Sequence, residues 1–306
     1  MKFCVIIPDG MADYKLDKLS GRTPMDAART PNMDNISSNG VMGLVNTIPK
    51  KFSPGSDVAC LSVLGYNPED CYTGRAPLES VSLGIELGEN DLAVRCNLIT
   101  ATDGILTDFS AGHVSDKEAT LIMSILNEKL AGRDVKFYAG TSYRNIMIYS
   151  GSDAIEAKCI PPHDIIGKSI TKNLPKGKGS EILFELMRDS FHLLENHEVN
   201  AVRTDLGENP ANMIWLWGQG KRPTLTPFEE LYGISGAVIT GVDLLRGLAT
   251  YIGWNIIEVP GATAYLDTDY DAKAQYAIEA LETHDLVLVH IEAPDEAGHE
   301  GNTHEK

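Results

Sequence analysis

Hydrophobic and polar positions at the two ends of the chain follow the pattern of an α/β domain. The segment KFCVIIP, residues 2–8, is a short apolar run that ends in turn residues, which is typical of a strand buried on both faces. From about residue 235, strand-like and helix-like segments alternate as SGAVIT, VDLLRGLATYI, NIIEV, DAKAQYAIEALE and DLVLVHI. This alternation predicts an α/β fold with a doubly wound, mainly parallel sheet that helices cover on both sides.

The middle of the chain has a different pattern. LAVRCNLIT, DVKFYAG and YRNIMIYSG are strand-like, whereas DKEATLIMSILNEKLAG and SEILFELMRDSFHLLENH have helical periodicity. We therefore expect a smaller α/β domain at residues 88–200, inserted into a domain formed by residues 1–87 and 201–306. The enclosing domain would resume near ANMIWLWGQG.

Composition limits the classes of partner. A length of 306 residues allows two domains, and the net charge of −17 argues against nucleic acid or an anionic membrane as a partner. A small anionic substrate remains compatible if cations gather locally. The N-terminal apolar run is too short for a signal peptide, and the five cysteines lack C-x-x-C spacing. We expect a cytoplasmic protein with reduced cysteines.

A serine follows a Pro-Gly pair in PGSDVACLSVLGY, at the start of an apolar helical pattern. One interpretation is that Ser56 caps this helix, with Asp57 at its positive end and Gly65 at its stop. The other is that Ser56 is a nucleophile, because a hydroxyl beside glycine at a helix N-terminus is open to substrate and that end attracts phosphate.

Side chains suited to metal ions follow two predicted strands. VIIPDG places Asp9 after the first, and VLVHIEAPDEAGH places Asp295 and His299 on one face of a helical turn after the last. Each could also be a turn former or a solvated helix face. Ligands collect at the carboxyl ends of parallel strands, so with Ser56 these groups suggest metal-assisted phosphoryl transfer. A carboxylate with a histidine suits Mn²⁺ or Zn²⁺ better than Ca²⁺.

A series of motifs carries a family resemblance. PDGMAD, TPNMD, PGSDVACLSVLGY, YTGRAPLE, SAGH, NMIWLWGQG and HIEAPDEAGHEG occur in the order found in archaeal-type cofactor-independent phosphoglycerate mutases. This family is a branch of the alkaline phosphatase superfamily, and the resemblance covers the whole chain. It implies an alkaline phosphatase-like catalytic domain with an inserted domain that closes over the substrate.

The resemblance also implies a mechanism. Ser56 would become phosphoserine while 3-phosphoglycerate and 2-phosphoglycerate interconvert, without 2,3-bisphosphoglycerate, in glycolysis and gluconeogenesis. Asp9 and Ser56 would share one divalent ion, and Asp295 and His299 would help to hold a second. Mn²⁺ is our first expectation for both ions, with Mg²⁺, Zn²⁺ and Co²⁺ as alternatives.

Cationic side chains are the expected contacts of the substrate's phosphate and carboxylate groups. Arg95, Arg144 and His113 are candidates in the inserted domain, because an arginine fork at a strand end or loop can meet an oxyanion bidentately. Arg75 and Lys273 are further candidates. For each, an ordinary surface ion pair is the alternative.

Comparison with the family pattern adds one expectation about metal binding and turnover and three alternative functions. Family members continue beyond the equivalent of Lys306 with an Asp-His pair and another histidine that complete both metal sites, so we expect residues 1–306 to bind metal weakly and to be a poor mutase. A homoserine kinase-like phosphotransferase of the same family and a simple phosphomonoesterase are alternatives. A non-catalytic binding chain is the third alternative. The oligomeric state stays open.

Overall fold

The protein forms two compact units. The structure is a computed structural model that describes residues 1–132, 134–151 and 155–306. The first unit comprises Met1–Tyr72 and Thr224–Lys306, and the second comprises Thr73–Pro223. The second unit is thus wider than the expected 88–200.

The elements have the following bounds. The strands are β1 Phe3–Pro8, β2 Leu92–Thr102, β3 Ile105–Asp108, β4 Val135–Thr141, β5 Arg144–Tyr149, β6 Met213–Lys221, β7 Gly236–Ile239, β8 Asn255–Ile256 and β9 Leu286–Ile291. The helices are α1 Pro24–Ala27, α2 Pro31–Asn39, α3 Ser56–Val63, α4 Pro68–Cys71, α5 Ala76–Ser82, α6 Asp116–Lys129, α7 Ser180–Leu194, α8 Glu198–Asp205, α9 Phe228–Tyr232, α10 Asp243–Ile252, α11 Tyr270–Thr283 and α12 Ala293–His299.

The first unit contains a four-stranded parallel sheet in the order β1-β9-β7-β8. The parallel pairing of the predicted sheet is therefore confirmed, although the NIIEV segment contributes only the two residues of β8. The expectation that the first strand is buried on both faces is wrong, because β1 is an edge strand with half of its residues exposed. Alanines of α11 pack on β7 and β9, where Ile239 and Val287 are fully buried. The register pairs Ile7 with His290, so β1 and β9 end at the same edge of the sheet.

Helix α3 begins at the Pro-Gly-Ser corner. Gly55 is its N-cap residue, in an extended conformation with φ of −176°, and Ser56 is the first residue of the helix. The hydroxyl of Ser56 donates to Asp9 rather than accepting a backbone N–H of the first turn. The capping interpretation of Ser56 is therefore wrong. Gly65, with φ of +81°, follows the end of the helix, as expected of a C-terminal glycine.

The second unit is built on an antiparallel sheet in the order β3-β2-β5-β4. Strand β6 also pairs with β2, along the edge of β2 that faces away from β5. NMIWLWGQG was expected in the enclosing domain, but it forms β6 and pairs with β2 along most of its length. This pairing, together with the packing of α5 on β2, explains why the unit extends to Pro223 and begins at Thr73.

The core of the second unit lies between its sheet and helices α6 and α7, where Ile122, Met187 and Trp215 are fully buried. A capping box at Ser115 and Glu118 starts α6. All five cysteines are free thiols. In the described parts of the chain, no helix has both the length and the apolar character needed to cross a membrane.

Candidate active site

Two predicted residues, Asp9 and Ser56, meet at the end of β1. Ser56 Oγ donates a hydrogen bond of 2.7 Å to Asp9 Oδ2, and the Gly10 N–H donates to Asp9 Oδ1 at 3.0 Å. The pKa of Asp9 is lowered from its ordinary value, chiefly by the hydrogen bond from His290 and also by that from Ser56, although burial opposes the shift. Asp9 is therefore an ionised acceptor aimed at the Ser56 hydroxyl.

The parallel pairing of β1 and β9 adds two residues that were not predicted. The side chain of His290 is buried, and its Nε2 lies 3.4 Å from Asp9 Oδ2 and 3.4 Å from Glu292 Oε2. Asp9, His290 and Glu292, the Asp9 cluster, each offer one atom within 4.8 Å of the others. A cluster of this size and composition has the donor types that transition-metal ions use.

Glu292 is the least satisfied member of the Asp9 cluster. Burial raises its pKa to about 7, with a further rise from the charges of Asp9 and Asp295, while His290 opposes the shift. Its Oε2 is buried and has no hydrogen-bond partner among the described residues. A buried carboxylate oxygen without a donor, next to a second carboxylate, is an arrangement that a divalent cation would stabilise. The residues present thus fit a metal ion.

Asp295 and His299 lie on α12, which follows Glu292 directly. Asp295 Oδ2 and His299 Nε2 are 3.2 Å apart, so the predicted i,i+4 pair does share one face. Gly10 packs against Asp295 so closely that a Cβ at Gly10 would lie 2.4 Å from the Asp295 Cα, and its φ is +63°. The glycine after Asp9 therefore allows the backbone at the end of β1 to approach Asp295 closely.

Lys273 lies behind this edge of the sheet. Its side chain is buried, and Nζ donates to the backbone oxygens of His290 at 3.2 Å and Thr263 at 3.3 Å. Burial lowers its pKa, and Glu292 opposes the shift. The structure thus places Lys273 close to the Asp9 cluster, with its ammonium group hydrogen-bonded to backbone. Its contact with substrate stays a prediction.

In the second unit, Arg75 and Arg95 both pair with one buried glutamate. Arg75 Nε donates to Glu79 Oε1 at 2.8 Å, and Arg95 Nε lies 2.9 Å from Glu79 Oε2. The Arg95 guanidinium also stacks 4.6 Å from the ring centre of Trp217. Burial lowers the pKa of Arg95 to about 10 although Glu79 opposes the shift, so the pair is held in a desolvated environment.

Arg144 and His113 are the exposed candidates of the second unit. Arg144 begins β5, and its guanidinium lies 5.3 Å from the ring centre of Tyr143. The His113 ring centre is 6.1 Å from the same tyrosine, and His113 adopts a left-handed backbone with φ of +51°. The structure therefore places both cationic candidates beside Tyr143, where they are accessible to an anion.

Sequence reasoning did not select His290, Glu292 or Glu79. His290 and Glu292 sit in VLVHIEAPD, two residues apart across the end of a buried strand, and that position at a carboxyl edge is a signal that could have selected them. Glu79 lies four residues after Arg75 on α5. Its contact with Arg95 depends on the packing of α5 on β2, which local sequence does not show.

Comparisons with known proteins identify the family of the chain. Residues 37–200 match the family model of 2,3-bisphosphoglycerate-independent phosphoglycerate mutase. The protein of that name from Methanosarcina mazei is 52% identical over all of this chain and 77% of its own length.

Two solved structures are similar to this chain over most of its length. A protein of Pyrococcus horikoshii, 28% identical, superposes with a TM-score of 0.77 over 99% of this chain and 73% of its own. A cofactor-independent phosphoglycerate mutase of Thermoplasma acidophilum, also 28% identical, superposes with a TM-score of 0.57 over 95% of this chain and 77% of its own. The chain belongs to the family of 2,3-bisphosphoglycerate-independent phosphoglycerate mutases.

Proposed function

We propose that the protein is a cofactor-independent phosphoglycerate mutase that interconverts 3-phosphoglycerate and 2-phosphoglycerate through a phosphoserine at Ser56. One observation carries this proposal. The hydroxyl of Ser56, at the start of α3, donates at 2.7 Å to an ionised carboxylate at the carboxyl edge of a parallel sheet, in a chain of that family. A hydroxyl held in this way is oriented for nucleophilic attack.

The chain's own groups account for the transfer. Asp9 accepts the hydroxyl hydrogen of Ser56, which directs a lone pair of Oγ away from the carboxylate and toward the substrate. As the bond from Oγ to phosphorus forms, the substrate's O–P bond breaks, and the proton lost by Oγ is gained by the substrate oxygen. The reverse transfer to the neighbouring hydroxyl gives the isomer. The positive end of α3 favours the phosphate in both steps.

Two divalent ions, with Mn²⁺ as the first expectation, belong to this proposal. Asp9 and Ser56 would hold one ion and Asp295 and His299 the other, with the unpaired Oε2 of Glu292 as an additional donor. When bound, such ions lower the pKa of a coordinated hydroxyl and neutralise phosphate charge. The orphaned carboxylate oxygen supports this assignment, and so does the mixture of carboxylate and imidazole donors.

We infer an anion-binding role for cations of the second unit. Arg144 and His113 are exposed beside Tyr143 and can meet a carboxylate or phosphate, and Arg75 is partly exposed. Arg95 is 4% exposed and is engaged with Glu79 and Trp217, so in this structure it orients the glutamate that also holds Arg75. These roles complete the proposal of an alkaline phosphatase-like catalytic domain with a substrate-binding insertion.

An assay with three substrates tests the function. The purified protein is given Mn²⁺ and, separately, 3-phosphoglycerate, ATP with homoserine, or p-nitrophenyl phosphate, without 2,3-bisphosphoglycerate. We expect formation of 2-phosphoglycerate at a low rate, as the expected weak metal binding implies, and this formation should stop when EDTA removes the metal. Transfer from ATP to homoserine with no mutase turnover would replace the proposal with a kinase, and hydrolysis alone would replace it with a phosphatase. Inactivity in all three assays would favour a binding chain.

A further inference from the structure

Three consecutive residues of the SAGH segment have left-handed backbone conformations. The φ angles are +50° at Ala111, +66° at Gly112 and +51° at His113. Gly112 adopts such an angle without steric cost, but at Ala111 and His113 the Cβ comes too close to the following carbonyl oxygen. A backbone of this kind persists only where the surrounding contacts impose it, and it is found preferentially at functional sites.

The carboxylate of Asp108 supplies several of these contacts. Its Oδ1 accepts the Ser110 N–H at 2.8 Å and the Ser110 hydroxyl at 2.7 Å. Its Oδ2 accepts the Gly112 N–H at 2.7 Å and the Asn209 side-chain amide at 2.8 Å. Each oxygen thus accepts two hydrogen bonds, which is about the capacity of a carboxylate oxygen. Asp108 therefore shapes the turn, and its own oxygens are occupied by groups of the protein.

A buried arginine holds the same turn through its backbone oxygen. Arg203 is almost fully buried, and its Nη2 donates to the Ala111 backbone oxygen at 2.8 Å while its Nε donates to that of Asn209 at 2.9 Å. A Cβ at Gly112 would lie 3.2 Å from Arg203 Nη2 and 3.3 Å from the Asn209 Cβ. The turn is thus packed closely against both side chains, which leaves it little room for another path.

The turn places His113 beside a second substrate-binding candidate. The His113 ring centre lies 6.1 Å from that of Tyr143, and the Arg144 guanidinium lies 5.3 Å from the same ring. The hydroxyl of Ser142 donates to the backbone oxygen of Val114 at 2.7 Å. The loop that carries Tyr143 and Arg144 is therefore tied to the residue that directly follows His113.

We propose that Asp108 is a positioning residue, which imposes the left-handed turn that keeps the His113 ring beside Tyr143 and Arg144, where imidazole and guanidinium together meet an anionic group of the substrate. The inference deepens the proposed function and depends on it for the identity of the substrate. Small errors in the position of a binding group cost affinity and rate, so the effect of Asp108 on substrate should pass through His113.

The position of the His113 ring can be measured without substrate or metal. Its ring-proton NMR signals, identified by their loss in His113→Gln, are shifted by the ring current of Tyr143, and Tyr143→Leu removes this shift. Asp108→Asn replaces an acceptor oxygen by an amide nitrogen that cannot accept, so we expect it to move the signals toward their Tyr143→Leu positions. Asp103→Asn, in the exposed turn between β2 and β3, should leave them in place. Unmoved signals in Asp108→Asn would overturn the proposal.

Calorimetry with 3-phosphoglycerate and Mn²⁺ tests the consequence for binding. Asp108→Asn should weaken binding by about tenfold, as expected for the loss of one charge-assisted hydrogen bond, and should have little further effect in a His113→Ala background. Adding Ala111→Gly should recover part of the loss, because glycine adopts positive φ without a carboxylate to impose it.

Equal losses in both backgrounds, or no recovery with glycine, would overturn the positioning role and indicate a general structural one. The NMR spectra show whether each variant is folded. A failed mutase assay would leave the ring-position result intact, so the two proposals fail separately.

Discussion

Ser56 Oγ and Asp9 Oδ2 lie 2.7 Å apart although 47 residues separate them in the sequence. The contact exists because β1 ends at Pro8, beside the carboxyl end of β9, and α3 begins at Ser56 over the same edge of the sheet. A short hydrogen bond between a partly buried hydroxyl and an ionised carboxylate restricts the rotamers of both side chains, which costs conformational entropy. We interpret it as part of the catalytic geometry.

Replacement of Ser56 by alanine should abolish mutase turnover and leave the fold intact. The hydroxyl is the proposed nucleophile, and a phosphoenzyme that is trapped from the wild type with ³²P-labelled substrate should be absent from the variant. Ser62→Ala is the matched control, because Ser62 lies on the same helix and its hydroxyl donates to the Val58 backbone oxygen at 3.2 Å rather than to Asp9. Turnover near the wild-type level in Ser56→Ala would contradict the nucleophile assignment.

Mn²⁺ should raise the melting temperature of the protein through Asp9. A ligand at about 100 times its Kd stabilises the native state by about 2.7 kcal/mol, which corresponds to several degrees for a chain of this size. Asp9→Asn removes a negative ligand and should lose most of this rise. Asp271→Asn, on the exposed first turn of α11, should keep it. Thermal melts with EDTA and with Mn²⁺ give the comparison, and an undiminished rise in Asp9→Asn would place the metal elsewhere.

Arg144→Ala should raise KM for 3-phosphoglycerate and lower kcat/KM, because it removes an exposed guanidinium that is proposed to pair with a substrate anion. Arg188→Ala is a close control. Both arginines lie over an aromatic ring, Tyr143 at 5.3 Å and Phe184 at 5.6 Å, and Arg188 is on α7. Steady-state kinetics of both variants decide the matter. Equal values of KM and kcat/KM in the two variants would contradict a substrate-binding role for Arg144.

Glu79→Gln should destabilise the protein by about 3–5 kcal/mol, because it leaves the buried Arg95 without its counter-charge. Glu69→Gln, which breaks the exposed 3.1 Å pair with Lys51, should cost about 1 kcal/mol or less. Urea unfolding of both variants measures the difference. A loss at Glu79 no larger than that at Glu69 would contradict a buried pair.

The same pair predicts a pH dependence. Burial alone would raise the pKa of Glu79, but Arg95 and Arg75 outweigh it and lower the pKa below its ordinary value. A carboxyl with a lowered folded-state pKa stabilises the protein above its unfolded pKa of about 4.3, and this contribution disappears as the pH falls through the folded value. Wild-type stability should therefore fall below about pH 4.5 more steeply than that of Glu79→Gln.

The secondary structure of strongly periodic segments could be predicted from the sequence, because the spacing of apolar residues within a segment shows which of its faces is buried. DAKAQYAIEALE became α11 with one additional residue at each end, and the parallel sheet of the first unit followed from the alternation of strands and helices. NMIWLWGQG formed a strand, as its apolar run allows, but its partner was β2 of the second unit. Which strand pairs with which depends on register over long separations, and local hydrophobicity does not encode it.

The sequence by itself determined the residue types of the candidate site. Asp9 and Ser56 carry chemistry that their local context already suggests, at a strand end and at a helix start, and Asp295 and His299 share a face by helical spacing alone. Only the tertiary structure decided that Ser56 donates to Asp9 instead of capping α3, and that His290 sits between Thr240 and Asp9. These contacts join groups that are distant in sequence, so they arise from the parallel pairing of β1, β9 and β7 and from the directional hydrogen bonds that buried polar groups require.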